Sequence, residues 1–207
     1  MIVNLIILVS GRGSNFEVII NAIKRKYITN AQIKLVISNN SNSKALDIAH
    51  KNNITTQFIE FNKKMSAEEY DEKIIQVLNS HGIVNENCLI LLAGYTQILS
   101  STFCKKFKWK IMNIHPSLLP SFKGLHAQTQ AIEFGAKVTG ATVHFVVPEL
   151  DSGPIILQES VKILSTDTVS SLSNKILRKE HQIYPKAVKL FIENKLEIKN
   201  NQVNILS

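Results

Sequence analysis

The sequence is short of the features that mark secreted, membrane-bound and disordered chains. It has two cysteines, Cys88 and Cys104, and neither sits in a C-x-x-C pair. That excludes a disulfide framework and the usual zinc spacings, and it fits reduced thiols and a cytoplasmic location. No apolar run reaches the ~18 residues that a bilayer-spanning helix needs, so no membrane partner is expected. The opening M-I-V-N-L-I-I-L-V-S lacks a basic n-region and is interrupted at Asn4. It reads as a buried strand rather than a leader. Eight glycines and five prolines in 207 residues exclude collagen-like and linker-like composition. Acidic residues are in deficit, 16 against 24 Lys and Arg, for a net charge of +8. Such a surplus favours anionic partners, among them phosphates, carboxylates and nucleic acid, without choosing between them. What remains, 44% hydrophobic and 19% charged residues, is globular composition in a chain long enough to bury a full core.

Short β-branched runs alternate with amphipathic stretches in the first half. Strands are expected over 2–9, 33–37, 56–61, 88–93 and 109–114, and helices over 15–26, 45–51, 66–78 and 100–107. Phe16, Ile19, Ile20 and Ile23 fall at helical spacing, and Ser66 with Glu69 is a capping-box signal. Runs that are apolar throughout suit strands covered on both sides, so the alternation implies an α/β fold. The rhythm changes after residue 114. A helix is expected over 127–134, then strands over 138–147 and 155–163. P-E-L-D-S-G-P between those strands is too short for a crossover helix, so the pair is antiparallel. A long helix over 168–194 carries Pro185, which predicts a break or kink. The tail, 196–206, alternates like a hairpin around Asn200 and Asn201. The fold class is therefore a Rossmann-like open, mostly parallel sheet with an antiparallel strand pair in the C-terminal half and helices on both faces, in a single domain over 1–207.

Chemistry concentrates in three places. S-G-R-G-S-N at 10–15 lies between the first strand and helix, where glycines let backbone approach a ligand and free N–H groups attract phosphate. Phe16 occupies the third glycine position of a dinucleotide fingerprint, so that fingerprint is excluded; a tight capped turn is the alternative. N-I-H-P-S-L-L-P at 113–120 places Asn113 and His115 two apart at a strand end, hence on one face. Pro116 keeps His115 extended. An amide there can donate to a developing oxyanion and an imidazole can carry a proton. E-L-D-S-G-P puts Asp151 in the hairpin connection, either as a turn former or as a carboxylate beside His115, where it would favour the cation. His144 reads as a packed, hydrogen-bonded histidine and His126 as a helix cap, while Glu180 suits a sugar diol. No His, Cys or carboxylate pair has metal-ligand spacing, so no metal is expected. Lys105, Lys106, Lys108 and Lys110 around Phe107 and Trp109 read as a helix-to-strand joint, so no nucleic-acid partner is expected.

S-G-R-G-S-N, L-A-G-Y-T-Q-I-L, N-I-H-P-S-L-L-P, K-G-L-H-A, G-A-T-V-H-F-V and L-D-S-G-P-I-I-L-Q occur in this order. Together, from residue 2 to about 190, they resemble the folate-dependent phosphoribosylglycinamide formyltransferases of purine biosynthesis. N-I-H-P-S-L-L-P and L-D-S-G-P indicate the broader formyltransferase family; S-G-R-G-S-N with K-G-L-H-A resembles this branch. The resemblance implies transfer of the formyl group of 10-formyltetrahydrofolate to the amine of glycinamide ribonucleotide. Asn113, His115 and Asp151 match the catalytic trio. Gly13, Ser14 and Asn15 match phosphate and ribose contacts, and Lys179 and Glu180 distal substrate contacts. The folate pocket would use Thr96, Gln97, Ile98 and Leu99, then Asn113, then Val147, Pro148, Glu149, Leu150 and Asp151. The resemblance thus assigns 1–115 to a nucleotide-binding half, 116–190 to a folate-site and catalytic half, and 191–207 to a short tail. Partners would be small anionic substrates, with the chain a monomer or homodimer.

The chain departs from the family pattern at Gln97 and Ala67, where arginine is common, so the folate's outer contacts differ; Lys63 and Lys64 are candidates to supply the missing charge. Three rivals remain. Methionyl-tRNA formyltransferases resemble R-W-R-G-A-A-P where S-F-K-G-L-H-A stands here, and carry a C-terminal tRNA-binding domain for which the chain has no room. Formyltetrahydrofolate deformylases share the trio and add an N-terminal regulatory domain. A non-catalytic nucleotide-binding module would not need the intact trio.

Overall fold

Val3–Val9 forms β1, and its last five residues are buried, as expected of a run with no charged side chain. The structure, a computed structural model, describes residues 2–206; Met1 and Ser207, the ends of the expected domain, lie outside the described residues. By internal packing the chain divides into two units at Met112 and Asn113.

In the first unit β1 pairs in parallel with β2 (Ala31–Ser38) on one side and β4 (Cys88–Leu92) on the other, and β2 pairs in parallel with β3 (Thr56–Phe58). The strand order β3-β2-β1-β4 places the sequence-first strand inside the sheet, which explains why β1 and β4 are the most apolar. Between the strands run α1 (Ser14–Lys24), α2 (Lys44–Lys51) and α3 (Ala67–Ser80), then α4 (Ser101–Lys106). The capping box forms as expected: Ser66 N–H donates to Glu69 Oε2 at 2.8 Å and Glu69 N–H to Ser66 Oγ at 3.2 Å. Several strand boundaries shift from expectation by one to three residues, and two of the shifts have a local cause. β3 stops at Phe58, an exposed residue near the end of the order, and only Ile59 continues the pairing, through its N–H to Ser38 O. β5 (Ile111–His115) starts two residues late because Trp109 takes a left-handed φ of 61° while Lys110 N–H closes a turn onto Phe107 O. A short 3-10 turn at Asn85–Asn87 carries no signal in the sequence pattern.

In the second unit β6 (Val138–Phe145) and β7 (Ile155–Lys162) are antiparallel, with Val138 opposite Lys162 and a register shift between Val143 and His144. The expected pair is thus present. α5 (Ala127–Glu133) precedes it and α6 (Val169–Ile192) follows. Of the break or kink expected at Pro185, the break does not occur: α6 is continuous through it. Proline costs one hydrogen bond, but Leu172, Ile176, Ile183, Tyr184, Ala187 and Val188 bury a continuous stripe, and that packing outweighs the lost bond. The tail forms the hairpin of β8 (Leu196–Lys199) and β9 (Gln202–Ile205). Asn200 and Asn201 both take positive φ, 50° and 61°, as a tight turn matching strand twist requires.

Gly13 opens α1 at φ 77°, and a Cβ there would stand 2.7 Å from the Ala45 Cβ of α2. The glycine therefore serves the packing of α1 against α2 as well as loop shape. Gly13→Ala is expected to lower stability by about 1–3 kcal/mol, from overpacking and a disfavoured φ together. Gly11→Ala meets nothing within 4 Å and should stay within ~0.5 kcal/mol of wild type. Denaturant midpoints of the two variants check this; equal losses would contradict it.

Candidate active site

β5 ends in M-N-I-H, with Asn113 half-buried and His115 buried. The β6–β7 connection brings Asp151 to the same place. His115 Nδ1 stands 3.4 Å from Asp151 Oδ2, and only 8% of the Asp151 side chain is exposed. Asp151 also takes φ 47°, so it is a turn former as well as the partner of His115. Gly153 makes that turn possible: a Cβ there would lie 1.8 Å from the Phe145 carbonyl oxygen. The Gly124 N–H donates to Asp151 Oδ2 at 2.8 Å, tying the loop after β5 to the carboxylate. Lys123 Nζ donates to Ser152 Oγ at 2.5 Å beside it. Gln130 holds the same loop by donating to the carbonyls of Lys123 and Leu125. His126 stands at the α5 cap position with no side-chain cap bond, so its expected capping role is not realised.

His144 joins the site, a placement that sequence reasoning misses. Its Nε2 is 3.7 Å from Asp151 Oδ1 and 3.2 Å from Asn113 Nδ2. Its Nδ1 donates to the Phe145 carbonyl at 2.9 Å. Burial, first, pushes the His144 imidazole below its usual range, and positive charge on His115 and Lys123 adds to this; the Phe145 bond and the Asp151 charge oppose it. A neutral ring protonated at Nδ1 leaves Nε2 as an acceptor, so Asn113 donates one amide hydrogen to it. That fixes the amide's orientation and leaves its second N–H free to turn to a ligand. The signal in the sequence is a lone polar ring in the buried run V-H-F-V-V. His115 differs. Its Nε2 donates to the Phe122 carbonyl at 2.8 Å while Nδ1 faces the carboxylate. Both of its nitrogens thus face oxygen acceptors.

The other expected site residues fall as follows. Ser14 and Asn15 start α1, whose first-turn N–H groups have no intrahelical acceptor. The neighbouring carbonyls are turned away and paired: Gly11 O accepts from Ser43 Oγ at 2.7 Å, and Ser10 O from Asn40 Nδ2 at 3.2 Å. Thr96 donates through both its N–H and its hydroxyl to Ser10 Oγ, at 3.0 and 3.1 Å. Gln97 Nε2 donates to Thr96 Oγ1. Ile98 is 66% exposed and Leu99 buried. Val147 is half-buried, and Pro148, Glu149 and Leu150 are exposed. Beside Asp151 a cavity of about 530 Å³ is lined by Lys123, Ser152, Asn201 and Gln202 among others. Glu180 is buried, whereas the adjacent Lys179 is engaged by Glu159 Oε2 at 3.3 Å and lines a groove with Lys162, Lys175 and Arg178. Among the described residues no group of three or more His, Cys, Asp or Glu is placed to hold a metal ion, and no helix is long and apolar enough to cross a membrane.

The depressed His144 proton affinity has a stability consequence. The unfolded chain takes up this proton below about pH 6.5, while the folded chain resists it, so stability falls as pH drops through that window. The slope from this one group is at most about 1.4 kcal/mol per pH unit. His144→Gln should therefore flatten the loss of stability between pH 7.5 and 5, read from denaturant midpoints. An unchanged slope would contradict a neutral buried His144.

Comparison with known proteins identifies the family. A family model described as formyl transferase matches residues 3–188. The phosphoribosylglycinamide formyltransferase of Escherichia coli K12 is 35% identical over 96% of this chain and 91% of its own length. That of Haemophilus influenzae is 40% identical over 94% and 90%. The trifunctional purine biosynthetic protein adenosine-3 of Homo sapiens is 42% identical over 94% of this chain, which spans only 19% of that protein. Among solved structures, glycinamide ribonucleotide transformylase 1 from Symbiobacterium toebii superposes with a TM-score of 0.93, 37% identical, over 100% of this chain and 95% of that one. A sheet that is mostly parallel with an antiparallel pair, the Asn113, His115 and Asp151 positions on one carboxylate-centred cluster, and these likenesses agree: the chain belongs to the formyl transferase family, among the phosphoribosylglycinamide formyltransferases.

Proposed function

We propose that this chain transfers the formyl group of 10-formyltetrahydrofolate to the amine of glycinamide ribonucleotide, giving formylglycinamide ribonucleotide and tetrahydrofolate, as a cytoplasmic enzyme of de novo purine biosynthesis. The observation that carries the reading is the buried Asp151 carboxylate facing two imidazoles, with Asn113 oriented by one of them. The substrate amine attacks the formyl carbon and the formyl oxygen gains negative charge. Asn113 donates its second amide hydrogen to that oxygen. His115 exchanges its bond to the Phe122 carbonyl for one to the same oxygen, and Asp151 balances the imidazolium charge. Donors fixed before the reaction stabilise such charge without reorganising. As the tetrahedral intermediate collapses, the bond from carbon to the folate N10 breaks. A water carries the proton lost by the amine to N10.

The nucleotide phosphate suits the first-turn N–H groups of α1 with Gly13, Ser14 and Asn15. Glu180 suits the ribose diol, and Lys179 would have to leave Glu159 to reach the substrate. For the folate, exposed Ile98 offers an apolar face to a flat ring, and the 147–151 backbone offers polar groups. The chain supplied with 10-formyltetrahydrofolate and, in turn, glycinamide ribonucleotide, water alone, or methionyl-tRNA tests the reading. Tetrahydrofolate release should require the ribonucleotide. Equal release in water alone, or formylation of the tRNA, would overturn it.

Gln97 gives a second expectation. Placing a guanidinium there should strengthen contact with the folate's anionic tail. An exposed charge pair contributes about 0.2–1 kcal/mol, so Gln97→Arg should lower the folate KM a few-fold at low salt with kcat nearly unchanged. A KM unchanged across ionic strengths would show that the tail does not reach this position.

A further inference from the structure

Asp71 lies on α3, 2% exposed, and takes no part in the chemistry above. Its Oδ2 accepts the Ser100 backbone N–H at 2.6 Å. Ser100 is the N-cap residue of α4, and its own Oγ already caps that helix by accepting from Phe103 N–H at 3.1 Å. The carboxylate therefore does not cap the helix; it holds the residue through which residues 94–99 enter it. In α3 the matching N–H, that of Ser66, is taken by Glu69 three residues on. In α4 the third helical residue is Phe103, which has no side-chain acceptor, and Asp71 supplies one from 29 residues away.

The other end of this segment is also pinned. The Ser10 N–H donates to Gly94 O at 3.1 Å, and Thr96 donates twice to Ser10 Oγ. Residues 97–99 are thus a short span between an anchor on β1's end and an anchor on α3. The anchor on α3 is costly. Burial pushes the Asp71 carboxyl above the usual carboxylate range, and its Oδ1 has no hydrogen-bond partner. The Tyr95 hydroxyl in the same segment is pushed up as well, by burial first, then by Tyr70 and the Asp71 charge. A cap alone would be met more cheaply by an exposed side chain.

We propose that Asp71 is a positioning residue for the folate, acting through the Ser100 N–H to hold residues 96–99 in place; this rests on the reading that those residues line the folate site. Asp71→Leu keeps the size and removes the acceptor, Asp71→Ala removes both, and Asp71→Asn keeps an acceptor oxygen. Either apolar variant that folds should show a folate KM raised about tenfold or more. The ribonucleotide KM should stay within about twofold and kcat within about threefold, and Asp71→Asn should restore the folate KM to within about threefold of wild type. An unchanged folate KM, equal rises in both KM values, or an Asn variant no better than Leu would overturn the proposal. Amide hydrogen exchange over 96–100 separates this from failure of the reaction assignment. Exchange should quicken in the Leu or Ala variant and not in Asn even if no formyl transfer is found, and exchange unchanged in all of them would remove the anchor itself.

Discussion

A carboxylate only 8% exposed must be met by donors or it destabilises the fold by several kcal/mol. Much of the second unit around Asp151 answers that requirement. Gly124 comes in with its N–H, which draws the loop after β5 inward. His115 faces the same oxygen from the end of β5. Gly153 lets the connection turn hard against the Phe145 carbonyl, so Asp151 reaches back over β6. His144, through the lone pair of its second nitrogen, fixes the Asn113 amide beside that carboxylate. One negative charge thus orders a strand end, a loop and a hairpin connection, and the residues it orders are those able to stabilise a developing oxyanion.

The first unit is organised by a different constraint, the close approach of α1 and α2 at Gly13 and Ala45. That approach sets where the N-terminal turn of α1 opens. Ser43 and Asn40 then donate to the Gly11 and Ser10 carbonyls on one side of the loop. Ser10 belongs to two features of this unit: its backbone starts the 10–15 loop, and its hydroxyl receives Thr96. The 10–15 loop and the 96–99 segment therefore share one small side chain.

Features set by local rules are legible in the amino-acid sequence. The Ser66–Glu69 box, the antiparallel pair across P-E-L-D-S-G-P and the Asn-Asn hairpin each depend on residues a few positions apart. Strand alternation puts Asn113 and His115 on one face, but their meeting with Asp151 is legible only through family motifs, since no periodicity relates residues so far apart in the chain. His144 reads as packed, and it is packed; its link to Asn113 depends on β-strand placement that side-chain alternation does not encode. Asp71 gives no signal because its partner is a backbone N–H, which nearly every residue type supplies. Lys179 and Glu180 go together by motif, yet adjacent helical positions point ~100° apart, and one is buried while the other meets Glu159. The uninterrupted α6 shows packing overriding a local breaker.

The claim at the centre of this account is that Asp151 acts on the reaction through His115. A double-mutant cycle in single-turnover formyl transfer measures that directly, with Asp151→Asn, His115→Gln and the double variant. If the carboxylate works by balancing the imidazolium, its loss should matter little once the imidazole is gone. The double variant should then transfer at nearly the His115→Gln rate, with a coupling of at least about 1.4 kcal/mol, a factor of ten. Additive losses would show that Asp151 holds the loop and Asn113 but does not serve His115, and would contradict the account.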